Sequence, residues 1–211
     1  LSSAAKEYMK VYGVLVGKKP LIFTNNDSGY ETAIEFKKNG VNPLILDTRK
    51  EPSSDIISEA KNLGIEIKFS HVVVAAKGYK KVKSADIAKI SDNKKDLSNI
   101  ENIECDCICV SGFWTPSIHL ASQSGNKSEF NEKIDAFIPK KSKQNENTIG
   151  SANGKFTLEE TINEAFDKGY EVSNKITENN NKVSMPTVVE KKSTEHDKFW
   201  CVPLPKGKSY K

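Results

Sequence analysis

Apolar residues first recur at helical spacing: Ala5, Tyr8, Met9 and Tyr12 stand at i, i+3, i+4 and i+7, and Gly13 follows as a stop. The spacing predicts an amphipathic first helix. The apolar run Pro20, Leu21, Ile22, Phe23 then predicts a buried strand, followed by the polar loop Thr24, Asn25, Asn26, Asp27. Ser28-Gly29-Tyr30-Glu31 has the form of a capping box, opening a helix that turns Ala33 and Ile34 inward and ends at Asn39-Gly40. A second apolar strand, Leu44, Ile45, Leu46, runs into Asp47. The pattern repeats: Ser54 can cap a helix carrying Ile56, Ile57, Ala60 and Leu63 on one face, Gly64 stops it, and Ile65-Glu66-Ile67 alternates as a strand. Strands joined by helical crossovers of this length predict an α/β fold built on a doubly wound parallel sheet.

Beyond His71 the texture changes to short β runs at 72–76, 82–90 and 103–110, with turn residues at 77–79 and 92–93 and no helix between. This predicts a β-meander inserted after the parallel unit. Ser111-Gly112-Phe113-Trp114-Thr115-Pro116 is a punctuated turn leading into a loop-rich stretch up to Thr148-Ile149-Gly150. Thr157-Leu158-Glu159-Glu160 is a second capping box, for a helix with Leu158, Ile162, Ala165 and Phe166 on one side and Gly169 at its end. Residues 173–198 have neither period nor core and read as linker, whereas Phe199, Trp200, Cys201, Val202, Pro203 and Leu204 turn apolar again, like the first strand of a missing neighbour. The expected organisation is therefore 1–110, 111–172, linker 173–198 and 199–211. The opening Leu1 in place of Met, with no signal-like leader, suggests a piece of a longer chain.

Length and composition narrow the function classes. The 211 residues are 36% hydrophobic and 28% charged, slightly poor in core formers for a globular chain. The longest apolar run is far short of the roughly 20 residues of a membrane span, so a transmembrane role is disfavoured. The net charge is +4, but 31 Lys stand against the single Arg49, interspersed with acids. Phosphate and base-edge recognition leans on the guanidinium fork, so nucleic-acid binding is disfavoured. Four Cys, three of them at 105, 107 and 109, do not make a spaced disulfide framework, and a reducing cytoplasm fits best. The alternation puts three sulfurs on one strand face, which could share a metal. Buried strand cysteines are the simpler reading, and no fourth ligand is evident. There is no Cys-x-x-Cys redox pair. A catalytic pair for His71, His119 or His196 requires groups brought together in space, and no residue is assigned to catalysis.

The strand, polar loop, helix and Asp-ended strand have the layout of a dinucleotide fold, where the first turn cradles pyrophosphate and an acid about 20 residues on binds ribose. Gly29 would be the third glycine of that fingerprint, Asp47 the ribose acid, and Asn25 and Asn26 part of the cradle. Thr24 and Asn26 replace the first two glycines, and a side chain at Asn26 obstructs the approach of pyrophosphate. The layout is thus read first as a scaffold that keeps the fold without a nucleotide in this pocket.

The loop 24–30 resembles the inner nicotinamide-nucleotide domain of two-dinucleotide flavoprotein disulfide reductases. More closely, the chain resembles the α subunit of heterotetrameric bacterial sarcosine oxidase. That family shares the glycine-poor Thr24-Asn25-Asn26-Asp27-Ser28 loop followed by Tyr30, the Val-Ser-Gly-x-Trp-x-Pro run at 110–116 before His119-Leu120, Ser122-Gln123-Ser124-Gly125, and Gly150-Ser151-Ala152-Asn153-Gly154 before a Leu-bearing helix. The resemblance covers residues 1 to about 170. Trp200, Pro203, Gly207 and Lys208 are similar to the lead-in of its folate-binding domain, and Phe113 departs from the family's usual Gly.

The resemblance implies a central segment of a larger subunit. Residues 1–110 would be the inner Rossmann-like domain, 111–172 the returning part of an outer FAD-like lobe, and 199–211 the start of a C-terminal folate-binding domain. The parent complex would oxidise sarcosine on FAD in another subunit, carry FMN at a subunit boundary, form peroxide and hand the one-carbon unit to tetrahydrofolate. The α subunit would hold a non-redox NAD in its outer lobe. Ser151 stands where related reductases carry an Asp that meets the flavin, so the resemblance implies NAD contacts from Ser151, Phe156 and Leu158, mostly through backbone. The rivals are a self-contained NAD(P)H-dependent reductase domain using Asn25 to Gly29 and Asp47, and a ligand-free subunit-interaction module. An exposed apolar patch around Trp114 or Trp200 would favour the last.

Overall fold

The computed structural model describes residues 1–112, 114–142, 144–177, 184–188 and 197–205. The expectations at Phe113, His196, Gly207 and Lys208, and much of the linker, lie outside the described residues. The chain divides into two compact units, 1–113 with 192–211, and 114–191.

The first unit begins with α1 (Ser2–Tyr12), closed by left-handed Gly13. Its buried face is Ser2, Ala5 and Met9. Tyr8 and Tyr12, expected on that face, are instead exposed and lie against each other at 5.8 Å between ring centres. Next come β1 (Pro20–Thr24), α2 (Ser28–Lys38), β2 (Leu44–Asp47), α3 (Asp55–Asn62) and β3 (Glu66–Phe69). After β3 the chain leaves the parallel sheet for the antiparallel β4 (His71–Gly78), β5 (Val82–Ile90) and β6 (Leu97–Glu104), then re-enters it as β7 (Cys107–Ser111).

The parallel sheet has the order β3-β2-β1-β7. The run 103–110, expected as one strand of the meander, is therefore two strands of different sheets. The break is made by Asp106, whose carboxylate accepts the backbone N–H groups of Lys18 and Lys19, both at 2.8 Å. Burial pushes its pKa up, but these two bonds prevail and hold it below the usual carboxylate range. The meander is thus an insertion within the parallel sheet.

Strand alternation sorts the core into two faces. Ile22 and Ile45 pack with Ala5, Met9, Tyr30, Ala33, Phe36, Ile57 and Ala60 under the helices, while Leu21 and Leu46 pack with Ala85, Ile87 and Cys105 under the meander. The unit has three layers, with helices on one face of the parallel sheet and the antiparallel sheet on the face where a doubly wound fold carries its other helices. Phe199 and Val202, in the stretch expected to begin a further domain, pack against Val72, Ala88 and Ile90 of the meander.

The second unit contains α4 (His119–Gln123), a hairpin of β8 (Ser128–Asn131) and β9 (Ala136–Pro139), a 3-10 turn at Gly150–Asn153 and α5 (Leu158–Thr177). The stretch before Gly150 is less irregular than expected, because Phe130 and Phe137 meet edge-on across the hairpin at 5.3 Å. α5 passes through Gly169 instead of ending there. A single interior Gly costs a helix about 1 kcal/mol, and Glu171 pairs with both Lys168 and Lys175 across the next turn. Among the described residues, no helix is long and apolar enough to cross a membrane.

Candidate functional site

In an open sheet of this order, ligands bind outside the carboxyl ends of the strands, where β1 has β2 on one side and β7 on the other. The loop 24–30 lies there and is closed by its own side chains. Thr24 Oγ1 donates to the Asn26 carbonyl at 2.8 Å. Asn26 Nδ2 donates to Asn25 Oδ1 at 2.9 Å and to the Gly112 carbonyl beyond β7, while Asn26 Oδ1 accepts the N–H of Ser28 at 2.9 Å and its hydroxyl at 2.6 Å. Ser28 also meets Ser111 at 2.5 Å.

The expected capping box is therefore replaced. α2 starts at Ser28 with no side-chain cap from that residue, and Asn26, two positions earlier, satisfies the first N–H. The Asn26 side chain spans the gap between β1 and β7 that a glycine would leave open to a phosphate.

Gly29 behaves as a third fingerprint glycine in one respect. A Cβ there would lie 2.6 Å from Thr24 Cβ, so its absence lets α2 seat closely on β1.

Asp47 is fully buried at 0% exposure. Its carboxylate accepts the Tyr30 hydroxyl at 2.7 Å, Arg49 Nη2 at 2.8 Å, Arg49 Nε at 3.0 Å and the Arg49 backbone N–H at 2.9 Å. Arg49 Nη1 reaches Asp27 at 2.8 Å, and the guanidinium lies 6.0 Å from the Tyr30 ring centre. The only arginine in the sequence is thus enclosed between two carboxylates. Burial works against its charge, but the bonds and charges of Asp47 and Asp27 prevail and raise its pKa. Burial, then the charge and hydrogen bond of Asp47, push the Tyr30 phenol far above its ordinary value. The residue read as a ribose acid spends its acceptor capacity inside the protein. Sequence reading missed Tyr30 and Arg49 as its partners, although Asp47-x-Arg49 is the spacing of a local side-chain turn.

Of the three sulfurs expected on one face, Cys107 and Cys109 are brought together, with Sγ atoms 3.6 Å apart. Cys105 precedes β7 and lies in the other core layer. The Cys109 S–H beside Cys107 holds the Cys107 thiol down to about 7. Among the described residues, no three His, Cys, Asp or Glu are grouped as metal ligands. His71 lies half-buried with Nδ1 2.6 Å from the Phe69 carbonyl.

In the second unit, Ser151 is exposed on the 3-10 turn, between left-handed Gly150 and Gly154. Glu164 of α5 takes the turn's donors, accepting Gly150 N at 2.7 Å and Asn153 Nδ2 at 2.6 Å. Thr157 caps α5 as expected, its hydroxyl accepting Glu160 N at 3.2 Å, and the Glu160 carboxylate accepts that hydroxyl at 3.0 Å. Phe156 and Leu158 are exposed beside that start. The exposed hydroxyl and apolar pair can flank a nucleotide, but Glu159 and Glu160 in the first turn oppose a pyrophosphate placed directly on this helix end.

No protein-family model matches the chain. It is similar to sarcosine oxidase subunit alpha from Corynebacterium sp. (strain P-1), 27% identical over 158 residues, covering 74% of this chain and 16% of that subunit. It is also similar to the subunit of the same name from Rhizobium meliloti (strain 1021), 30% identical over 139 residues, or 65% of this chain and 13% of that one. Among solved structures it resembles thioredoxin reductase from T. acidophilum (18% identity, 61% of this chain, 40% of that chain, TM-score 0.49). Bacillithiol disulfide reductase from Staphylococcus aureus is a second such structure (17% identity, 66% and 47%, TM-score 0.46). By sequence, then, this α/β chain resembles the alpha subunit of sarcosine oxidase, and it spans about 16% of the length of the first such relatives it matches.

Proposed function

We propose that the chain is a central segment of an α subunit of a sarcosine oxidase, acting as scaffold and as one wall of a non-redox NAD site. The observation that carries this is the sequence similarity to three such subunits, over 65% to 74% of this chain. In this reading the parent complex is a cytoplasmic heterotetramer. Its FAD in another subunit oxidises sarcosine, FMN lies at a subunit boundary, and tetrahydrofolate collects the one-carbon unit as peroxide forms. This segment binds neither flavin by itself and has no turnover alone. Residues 111–172 would return into the outer lobe and 199–211 would lead into the folate-binding domain.

NAD contacts come from the Ser151 hydroxyl and from Phe156 and Leu158, flanking the nucleotide laterally. The acidic first turn of α5 favours a pyrophosphate cradle supplied elsewhere in the subunit. The inner fold is structural. Its support is the Asn26 side chain across the β1/β7 gap and the internal pairing of Asp47. A role in subunit contact is favoured beside this by Trp114 and Trp200, 57% and 60% exposed.

Two measurements test the reading. In the full α subunit assembled with its partners, Ser151→Arg is expected to lower the NAD released on denaturation. Unchanged NAD content would remove Ser151 from the site. In calorimetric titration of the present chain, no micromolar NAD binding is expected. Binding that survives Ser151→Arg and is lost in Thr48→Arg would make the inner crevice a working nucleotide site and overturn its structural role.

A further inference from the structure

The carboxyl ends of β1 and β2 are met by a residue from the far end of the chain. The Asp197 N–H donates to the Asn25 carbonyl at 2.9 Å, and Asn25 Nδ2 donates to the Asp197 carbonyl at 2.9 Å. Thr48 Oγ1, just past β2, donates to Asp197 Oδ2 at 3.1 Å, and the Lys94 ammonium pairs with Oδ1. Asn25 and Thr48, with Asp197 seated on them, are each only 5% exposed. Two residues on, Phe199 packs with Val202 on the apolar cluster of Val72, Ala88 and Ile90.

These contacts have the chemistry of a ligand site. A hydroxyl and an ammonium converge on the Asp197 carboxylate, an amide meets the carbonyl of the same residue, and an apolar strip lies next to them. The donors that hold Asp197 are those an incoming phosphate or ribose would use, so the segment and a nucleotide exclude each other. A carboxylate seated by one ammonium and one hydroxyl, with two bonds between Asn25 and the Asp197 backbone beside it, is a specific arrangement because the buried Thr48 hydroxyl and Asn25 amide each find a partner in it.

We propose that residues 197–202 are a built-in plug, docked through the Asp197 carboxylate and the Phe199 and Val202 side chains in the crevice where the parallel sheet would take a ligand. The crevice is a receptor for an extended Asp-x-Phe-x-x-Val segment of this same chain. The plug rests on the structural reading of the inner fold and extends it, since it supplies an occupant for the crevice that Asn26 closes on its other side.

Hydrogen exchange read by mass spectrometry on the 211-residue chain tests this. Peptides spanning 197–202 are expected to exchange about tenfold or more slowly than the same sequence as a free peptide. Asp197→Ala and Lys94→Ala should each remove that protection while circular dichroism remains unchanged. Exchange at free-peptide rates in the unmodified chain, or protection untouched by both substitutions, would overturn the plug. Adding NAD to Asp197→Ala separates the two readings. Release of the segment with micromolar NAD binding keeps the plug and overturns the structural role of the inner fold. Release of the segment without NAD binding keeps both the plug and the structural role of the inner fold, whereas a segment that stays protected in Asp197→Ala and Lys94→Ala overturns the plug alone.

Discussion

The Tyr30 hydroxyl, on α2, lies 2.7 Å from Oδ2 of Asp47 at the end of β2, and both residues are fully buried. This bond, with the Arg49 guanidinium on the same carboxylate, ties the first crossover helix to the second strand of the sheet. It turns an acid that could face a ligand into part of the core.

Removing either partner leaves a buried carboxylate under-satisfied. Tyr30→Phe is expected to lower stability by about 1–3 kcal/mol, the desolvation cost of an unmet acceptor. Arg49→Met should cost more, about 3–5 kcal/mol, because it uncovers a buried charge. Arg49→Lys should recover only part of that, having no fork to span Asp47 and Asp27. Urea unfolding midpoints at neutral pH measure all three; equal midpoints for Arg49→Met and the unmodified chain would contradict the assignment.

The same phenol makes stability depend on alkaline pH. Burial, then Asp47, raise its folded pKa above the unfolded value of about 10. A group raised on folding stabilises fully below its unfolded pKa and loses that contribution as pH climbs toward the folded one. Stability should therefore fall as pH rises above about 10, and Tyr30→Phe should flatten the fall. Parallel slopes for the two proteins in pH-dependent urea titrations would assign the alkaline loss to other groups.

Two glycines should respond in opposite directions to alanine. At Gly29 the new Cβ meets Thr24 at 2.6 Å, so Gly29→Ala should destabilise by about 1–3 kcal/mol through overpacking of α2 on β1. At Gly169, inside α5, nothing lies within 4 Å, and Gly169→Ala should favour the helix by about 0.5–1 kcal/mol. Thermal unfolding followed by circular dichroism distinguishes them, and a tolerated Gly29→Ala would mean that the helix and strand do not approach so closely.

Thiol chemistry should single out Cys107. With its pKa held to about 7 by the Cys109 S–H, its alkylation by iodoacetamide should rise through a midpoint near that pH. Cys109→Ala should move the midpoint up toward the ordinary thiol range. Peptide mapping across a pH series reads the result; a midpoint unmoved by the substitution would assign the lowered value to another cause.

Local pattern made much of the first unit legible. The elements of residues 1–67 follow from helical spacing, apolar runs and glycine stops, all of which act within a few residues. The split of 103–110 was not legible in this way, because it depends on Asp106 accepting N–H groups 87 and 88 positions earlier. Tyr8 and Tyr12 misled for a related reason: their spacing suits a buried face, but the partner that decides burial is α2, which meets Ser2, Ala5 and Met9.

At the candidate site, the sequence by itself determined which chemistry was at hand: a glycine-poor loop, an acid ending the second strand, a lone arginine and a Thr157 cap before the last helix. It also carried the ordered motifs that relate the chain to a known subunit. Only the tertiary structure decided how those groups are used. Whether Asp47 faces a ligand or a phenol, whether Asn26 spans two strands, and whether Asp197 is linker or plug depend on residues brought together from 17 to 172 positions apart. A hydrogen bond takes whichever donor the fold delivers, and local sequence holds no record of that delivery.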